Sequence, residues 1–224
     1  MRNVGQDFAS PVTTDAKKIL WPGVGITALL LLEKKNAAEP LQESVATRQP
    51  LGSTSKFGDN MGKLIPNAIY AGSMWAYGYF KTSDLANERA WVMTKATIYS
   101  AIVTDVLKVV VHKERPDHSN YQSFPSGHTT TAFAFASVVH AEHGWLYGAP
   151  AYALASFVGF SRINDNKHDL NDVFAGAVVG TVYGIGLHYR SLQDRPRTQA
   201  QNFDYSVLPV IASNFAGVSA YAEF

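Results

Sequence analysis

Ser123-Phe124-Pro125-Ser126-Gly127-His128-Thr129-Thr130 decides how the rest of this chain is read. A proline, a hydroxyl residue and a glycine lead straight into an apolar, helix-prone run. Ser126 is a natural N-cap, and Gly127 leaves room for another group to approach the backbone. The first N–H groups of a helix that starts here have no partner within it. With the helix dipole, they favour an anion at that spot. His128 lies in the same first turn, placed to exchange a proton with whatever binds. Caps of this kind open many ordinary helices. Complementary chemistry in two other short stretches gives this one its weight.

Working outward, Ser83 caps a helix predicted from about Asp84 to Lys113. Leu85, Trp91, Val92, Ile98, Ile102, Val106 and Val110 form its apolar face, and Pro116 stops it. The helix of about 126–142 ends at Gly144. Another is expected over 147–161, then a polar loop at Arg162–Lys167, then a long helix from about His168 to Leu192. Gly176, Gly180 and Gly184 recur every fourth residue there, a groove that lets a neighbouring helix come close. Residues 61–81 show helical spacing. Residues 1–18 are polar, with Thr13 or Thr14 as a cap. Residues 19–32 read as a buried helix kinked or started by Pro22. Residues 34–60, with Pro40, Pro50, Gly52 and Gly58, read as a long loop with a helical turn or two near 41–48. The tail, 203–224, suggests a β-hairpin around Ser213-Asn214. The expected architecture is an all-α helical bundle with a short C-terminal β-hairpin. An N-terminal segment and loop (1–60) pack on a catalytic bundle (61–192), followed by a linker and β-like tail (193–224).

At 224 residues and 46% hydrophobic content, one domain of ordinary size is expected. A formal charge of +1 argues against a nucleic-acid partner. With no cysteine, disulfides and thiolate chemistry are excluded, and the compartment stays open. No uncharged apolar run clearly reaches the roughly 20 residues that span a bilayer. Ile19–Leu32, Trp145–Ser161 and Val173–Leu187 are therefore read as buried helices of a water-soluble bundle, with membrane-surface association left open. Met1-Arg2-Asn3 is followed by polar residues and no apolar core, which does not fit a secretory signal.

The chemistry lies in three stretches. Lys108 and Arg115 are seven residues apart, almost two turns, so a continuing helix puts a point charge and a bidentate fork on one face. Lys113 reads as solvated. The 125–128 helix start is the second stretch. The third runs from Ser161-Arg162 to His168, with Asp172 four residues on, so that His168 and Asp172 share a helical face. A carboxylate there accepts the imidazole Nδ1–H and frees Nε2 as nucleophile or base. Arg162 adds a third cation. Of the other histidines, His140 and His143 flank Glu142 at what reads as an exposed helix end, His118 is a candidate for the entrance, and His112 and His188 show no pattern.

Lys108 through Arg115-Pro116, then Pro125-Ser126-Gly127-His128, then Ser161-Arg162 with His168 and Asp172 resembles the type 2 phosphatidic acid phosphatase signature. That family includes bacterial nonspecific acid phosphatases and is related to the vanadium haloperoxidases. The likeness covers about residues 84–190. It implies that His168 attacks phosphorus, Asp172 orients it, and His128 protonates the leaving alcohol and then activates water. It also implies that Lys108, Arg115, Ser126, Gly127 and Arg162 hold the phosphoryl oxygens, with no metal and no cofactor, and that vanadate binds as an inhibitor. A phosphorylated small molecule or lipid is the expected substrate. The periplasm or cell envelope is the expected location, with a leader removed and Met1 an added start. The alternatives are a vanadate-dependent haloperoxidase and a non-catalytic phosphate- or lipid-binding envelope protein.

Overall fold

A computed structural model describes residues 4–33, 39–195, 204–212 and 215–223. The chain divides into two compact units, residues 1–190 and 191–224. In the first, α1 (Val4–Phe8) and α2 (Ser10–Thr13) lead to α3 (Lys17–Leu32). Thr14 marks the start of α3, its Oγ1 accepting from Ala16 N at 3.3 Å. Next come α4 (Glu39–Arg48), a 3-10 turn at Gly52–Thr54, α5 (Ser55–Met61), α6 (Ile65–Lys81) and α7 (Asp84–Val111). The bundle closes with α8 (Gly127–His143), α9 (Trp145–Asn164) and α10 (Leu170–Asp194), whose last residues enter the second unit. The second unit also holds β1 (Asp204–Ala212) and β2 (Phe215–Glu223), paired antiparallel with Asp204 opposite Glu223 and Ala212 opposite Phe215.

Two expectations need correcting. Residues 34–60 are not a long loop: their described part is mostly α4, the 3-10 turn and α5. The prolines and glycines there fall at ends and close contacts, so they do not prevent helix. The helix from Asp84 stops at Val111 and not Lys113. His112 takes a left-handed conformation (φ 47°) as its C-cap, and its N–H bonds Lys108 O at 3.1 Å.

Small residues set the packing. Ala90, Ala96, Ala134 and Ala136 are fully buried, beside Met93, Val138, Val158 and Val182. The α8–α10 contact is close. A Cβ on Gly180 would lie 2.3 Å from Thr130 O and 2.7 Å from Ala134 N, both backbone atoms that cannot step aside. The predicted glycine groove is therefore the seam along which α10 meets α8. At the far end of α8, Glu142 is buried rather than exposed. It accepts from His188 Nδ1 (2.7 Å) and pairs with Arg89 (3.3 Å), while His143 bonds Tyr70 OH (2.7 Å) and His140 stacks on Trp145.

The sides of the bundle are apolar and open. Of α3 only Gly23 is buried; Trp21 (64% exposed), Leu29 and Leu32 (79%) face outward, so this segment is not a buried helix. Ile69, Tyr79 and Phe80 on α6, Trp91, Val109 and Val110 on α7, and Leu146 on α9 extend the same character. Isolated surface hydrophobics are ordinary, but patches of this extent mark an interaction surface. Among the described residues one helix, α10, is long and apolar enough to cross a membrane, and most of its apolar stretch is buried in the bundle.

Gly180→Ala is expected to destabilise the fold by about 1–3 kcal/mol, because the methyl meets α8 backbone. Gly72→Ala, where nothing lies within 4 Å of the added Cβ, should leave stability unchanged or raise it by about 0.5–1 kcal/mol. Thermal unfolding of the two variants in one detergent checks the contrast, and equal midpoints would overturn the seam.

Candidate active site

Three chain segments meet at the N-terminal ends of α8 and α10. Ser126 N donates to Asp172 O (2.9 Å), which fixes the start of α8 against the first turn of α10. Phe124–Pro125 is a cis peptide. Ser126 stands at the N-cap position but is fully buried, and its Oγ accepts from Thr129 Oγ1 (2.9 Å) rather than capping a backbone N–H. It holds the turn. Gly127 and His128, which follow it, are half-buried. A Cβ on Gly127 would come within 3.9 Å of Lys108 Cε and Thr104 Cγ2, ordinary contact, so the glycine is not required by the fold there.

The end of α9 delivers the next group. Arg162 O accepts from Lys167 N (3.0 Å) and His168 N (3.3 Å), turning the chain so that His168 lies just before α10. His168 thus precedes the helix, and Asp172 sits in its first turn. His168 is 2% exposed and Asp172 0%. Their Nδ1–Oδ2 separation is 3.7 Å, an ion-pair distance but too long for a hydrogen bond, and His168 Nδ1 has no hydrogen-bond partner. Burial pushes the His168 imidazole below its usual range. Asp172 opposes this and Arg115 and Lys108 add to it.

Asp172 is the best-tethered group of the site. Lys113 Nζ bonds its Oδ1 at 2.6 Å, Ser123 Oγ donates to its Oδ2, and Asp169 N donates to the same oxygen at 3.0 Å. Burial alone would raise this carboxyl, but His168, Lys113 and Ser123 outweigh it and hold it at about 2. Lys113, read from sequence as solvated, also pairs with Asp169 Oδ2 at 2.7 Å and Asn171 Oδ1 at 3.3 Å. It was missed because the helix was carried through residue 113. The break at His112 turns Lys113 toward the carboxylates.

The same break removes the shared helical face of Lys108 and Arg115. Arg115 lies in the loop after α7, its N and Nε bonding Asn120 O and Oδ1, both at 2.9 Å. Lys108, in the last turn of α7, donates to Gln122 O and Pro125 O, each at 2.7 Å. The two cations nevertheless converge. Burial first, then Arg115, lower Lys108 to about 8, and both act on His168. His118 is exposed and pairs with Glu114 (3.0 Å), and His112 stacks on Tyr121.

Arg162 is 4% exposed. Its Nη1 donates to Asp59 Oδ1 (2.6 Å), Nη2 to Asp165 Oδ2 (2.9 Å) and Nε to Ser161 Oγ (3.2 Å). The same Asp59 oxygen is 3.2 Å from His128 Nε2. Burial pushes His128 down to about 4. Arg162, His168 and Lys63 push the same way, and Asp59 resists. His128, His168, Arg162, Arg115 and Lys108 are thus one electrostatic cluster that includes a buried imidazole. Such a cluster can bind a tetrahedral oxyanion, attack it from nitrogen and pass a proton to a departing oxygen. Among the described residues no group of three or more His, Cys, Asp or Glu gathers as metal ligands.

Residues 89–196 match the family model described as the PAP2 superfamily. The chain is 36% identical over 135 residues to a lipid A 1-phosphatase of Porphyromonas gingivalis, covering 56% of this chain and 29% of that one. It is 26% identical over 172 residues to lipid phosphate phosphatase 1 of Arabidopsis thaliana, covering 49% and 52%. The chain therefore spans about a third to a half of the length of these curated relatives. Among solved structures, the transmembrane PAP2-type phosphatidylglycerolphosphate phosphatase of Bacillus subtilis superposes with a TM-score of 0.63 at 21% identity, over 84% of this chain and 98% of the other. At that identity the likeness is one of fold.

Lys113→Ala is expected to cost about 3 kcal/mol, since it removes the ammonium that pairs with both Asp169 and Asp172. The pH dependence carries the sign. The folded-state pKa of Asp172 lies below its ordinary 3.8, so its stabilisation is present above about pH 4 and is lost as pH falls toward 2. In Lys113→Ala the folded-state carboxyl moves back up toward its ordinary value, so this acid-side loss should be smaller and end at higher pH. Unfolding midpoints measured from about pH 2 to 7 check it, and an unmoved acid limb would refute the tether.

Proposed function

We propose that this chain, whose residues 89–196 belong to the PAP2 superfamily, is a phosphatase that hydrolyses lipid phosphate esters through a phosphohistidine. One observation carries the reading: a buried His168 beside Asp172, in one electrostatic cluster with Lys108, Arg115, His128 and Arg162. In the first step the Nε2 lone pair of His168 bonds phosphorus. The P–O bond breaks with its electrons going to oxygen, which takes the proton from His128. In the second step His128 removes a proton from water, the water oxygen bonds phosphorus, and the P–N pair returns to His168. Asp172 stabilises the charged imidazole between the steps. Lys108, Arg115, Arg162 and the N–H of Gly127 hold the phosphoryl oxygens, most strongly as charge spreads in the transition state. Ser126 serves by fixing the turn. These cations supply the charge that the chemistry requires, without a metal or cofactor, and vanadate is expected to compete for their pocket.

The lipid substrate class is supported by the apolar flanks of the bundle and by the relatives named for lipid A and lipid phosphates. A membrane-associated enzyme, seated through α3, α6 and α7, replaces the water-soluble reading. A cell-envelope location accords with this.

The first experiment measures turnover, with EDTA present, of nitrophenyl phosphate and a detergent-dispersed lipid phosphate by wild type and His168→Ala. The variant should lose roughly 10⁴-fold or more on both while keeping its fold, because the pathway runs through that nitrogen. Near-normal turnover would sink the assignment. Phosphate binding without turnover in the wild type would leave a phosphate or lipid holder instead. The protein should also float with liposomes in a density gradient, and recovery as a detergent-free monomer in buffer would overturn the membrane reading.

A further inference from the structure

The helical segment before α6 carries a carboxylate into the site that the reaction as described does not use. Asp59 lies on α5, and one oxygen, Oδ1, accepts from Arg162 Nη1 (2.6 Å) and stands at ion-pair distance, without hydrogen-bond geometry, from His128 Nε2 (3.2 Å). Its other oxygen takes Lys63 Nζ at 2.9 Å. The carboxylate thus faces both the group expected to protonate the departing oxygen and one of those expected to hold the phosphoryl oxygens.

Its mount is rigid. A Cβ on Gly58 would fall 2.4 Å from Ser161 Oγ, and one on Gly62 would fall 2.7 Å from His128 Cβ and 2.8 Å from Val158 Cγ1. These glycines, four residues apart, let one face of α5 rest on α9 and its end rest directly on the His128 ring. Further back, Leu51 N donates to Asn164 Oδ1 (3.0 Å) and Gln42 Nε2 to Asn166 Oδ1 (3.1 Å), so the segment is pinned to the stretch that leads from Arg162 to His168.

We propose that Asp59 is a positioning residue of the catalytic cycle, holding His128 and Arg162 in register so that His128 delivers its proton to the departing alcohol. The inference rests on the phosphohistidine reading above. The charged groups that face His128 are Asp59 and Lys63 from the α5 end, Arg162 from α9 and His168 from the turn before α10. Burial and the three basic groups disfavour the imidazolium, and Asp59 is the counterweight. Asp59 itself stays ionised: burial would raise it, but Lys63, Arg162 and His128 hold it below the ordinary carboxylate range. Lys63 offsets its charge toward the incoming phosphate.

Asp59→Asn keeps the shape and removes the charge. On an alkyl phosphate, whose leaving group needs the proton, turnover should fall roughly ten- to hundredfold, while nitrophenyl phosphate should lose less than about threefold. The alkaline limb of the alkyl-ester pH profile, set by loss of the His128 proton, should move to lower pH, and Asp59→Glu should recover part of both effects. Equal losses on the two esters with an unmoved limb would mean a merely structural carboxylate and would overturn the proposal. So would a gain in activity, which would make Asp59 a plug in the phosphate site. His168→Ala assayed alongside separates the two readings. If that variant is dead and Asp59→Asn is indifferent, the inference alone falls. If His168→Ala keeps near-normal turnover, the phosphohistidine reading falls and takes this role with it.

Discussion

The carboxylate of Asp172 is the constraint on which the rest of the site depends. It is fully buried, and a buried charge is tolerable only when paired and hydrogen-bonded. Lys113 and Ser123, from the loop that joins α7 to α8, and Asp169 N, from the turn before α10, supply those partners. Satisfying one carboxylate thus fixes the α7–α8 loop against α10. Its own backbone carbonyl then accepts from Ser126 N, which fixes the start of α8. The residue that would steady His168 is therefore also the residue that assembles the site.

That assembly needs helix ends to approach more closely than ordinary side chains allow. The α8–α10 seam meets the need with glycines set against backbone, and α5 meets it with Gly58 and Gly62 against Ser161 and His128. Close backbone approach leaves little freedom for the groups at the helix starts. The cost of misplacing a reacting group by an ångström is large, so tight seams near the N-termini of α8 and α10 bear directly on chemistry.

Much of this was legible in the sequence because it is local. Ser126-Gly127-His128 before an apolar run, and glycines every fourth residue in 176–184, describe a helix start and a close helix contact wherever they occur. The family likeness supplied roles for His128, His168 and Asp172. What was not legible depended on distant partners. Nothing in Val109-Val110-Val111-His112-Lys113 announces that His112 turns left-handed, so Arg115 was placed on a helix it does not join and Lys113 was set aside. Residues 34–60 were read as loop from their prolines and glycines, although Gly58 and Gly62 flank Asp59 at helical spacing, the one signal that was available. Hydropathy marks α3 as apolar. It cannot tell whether protein or lipid covers an apolar face.

The cations of the site are paired within the protein. Arg162 spends its donors on Asp59, Asp165 and Ser161, and Lys108 spends its own on two backbone carbonyls. None of these cations is left buried and unpaired. On the proposed reading, an incoming phosphoryl group exchanges partners with the site and does not simply fill it. The site is then preorganised for the transition state, whose charge is more widely spread than that of the ground state, and a fixed guanidinium is worth more there than a mobile one.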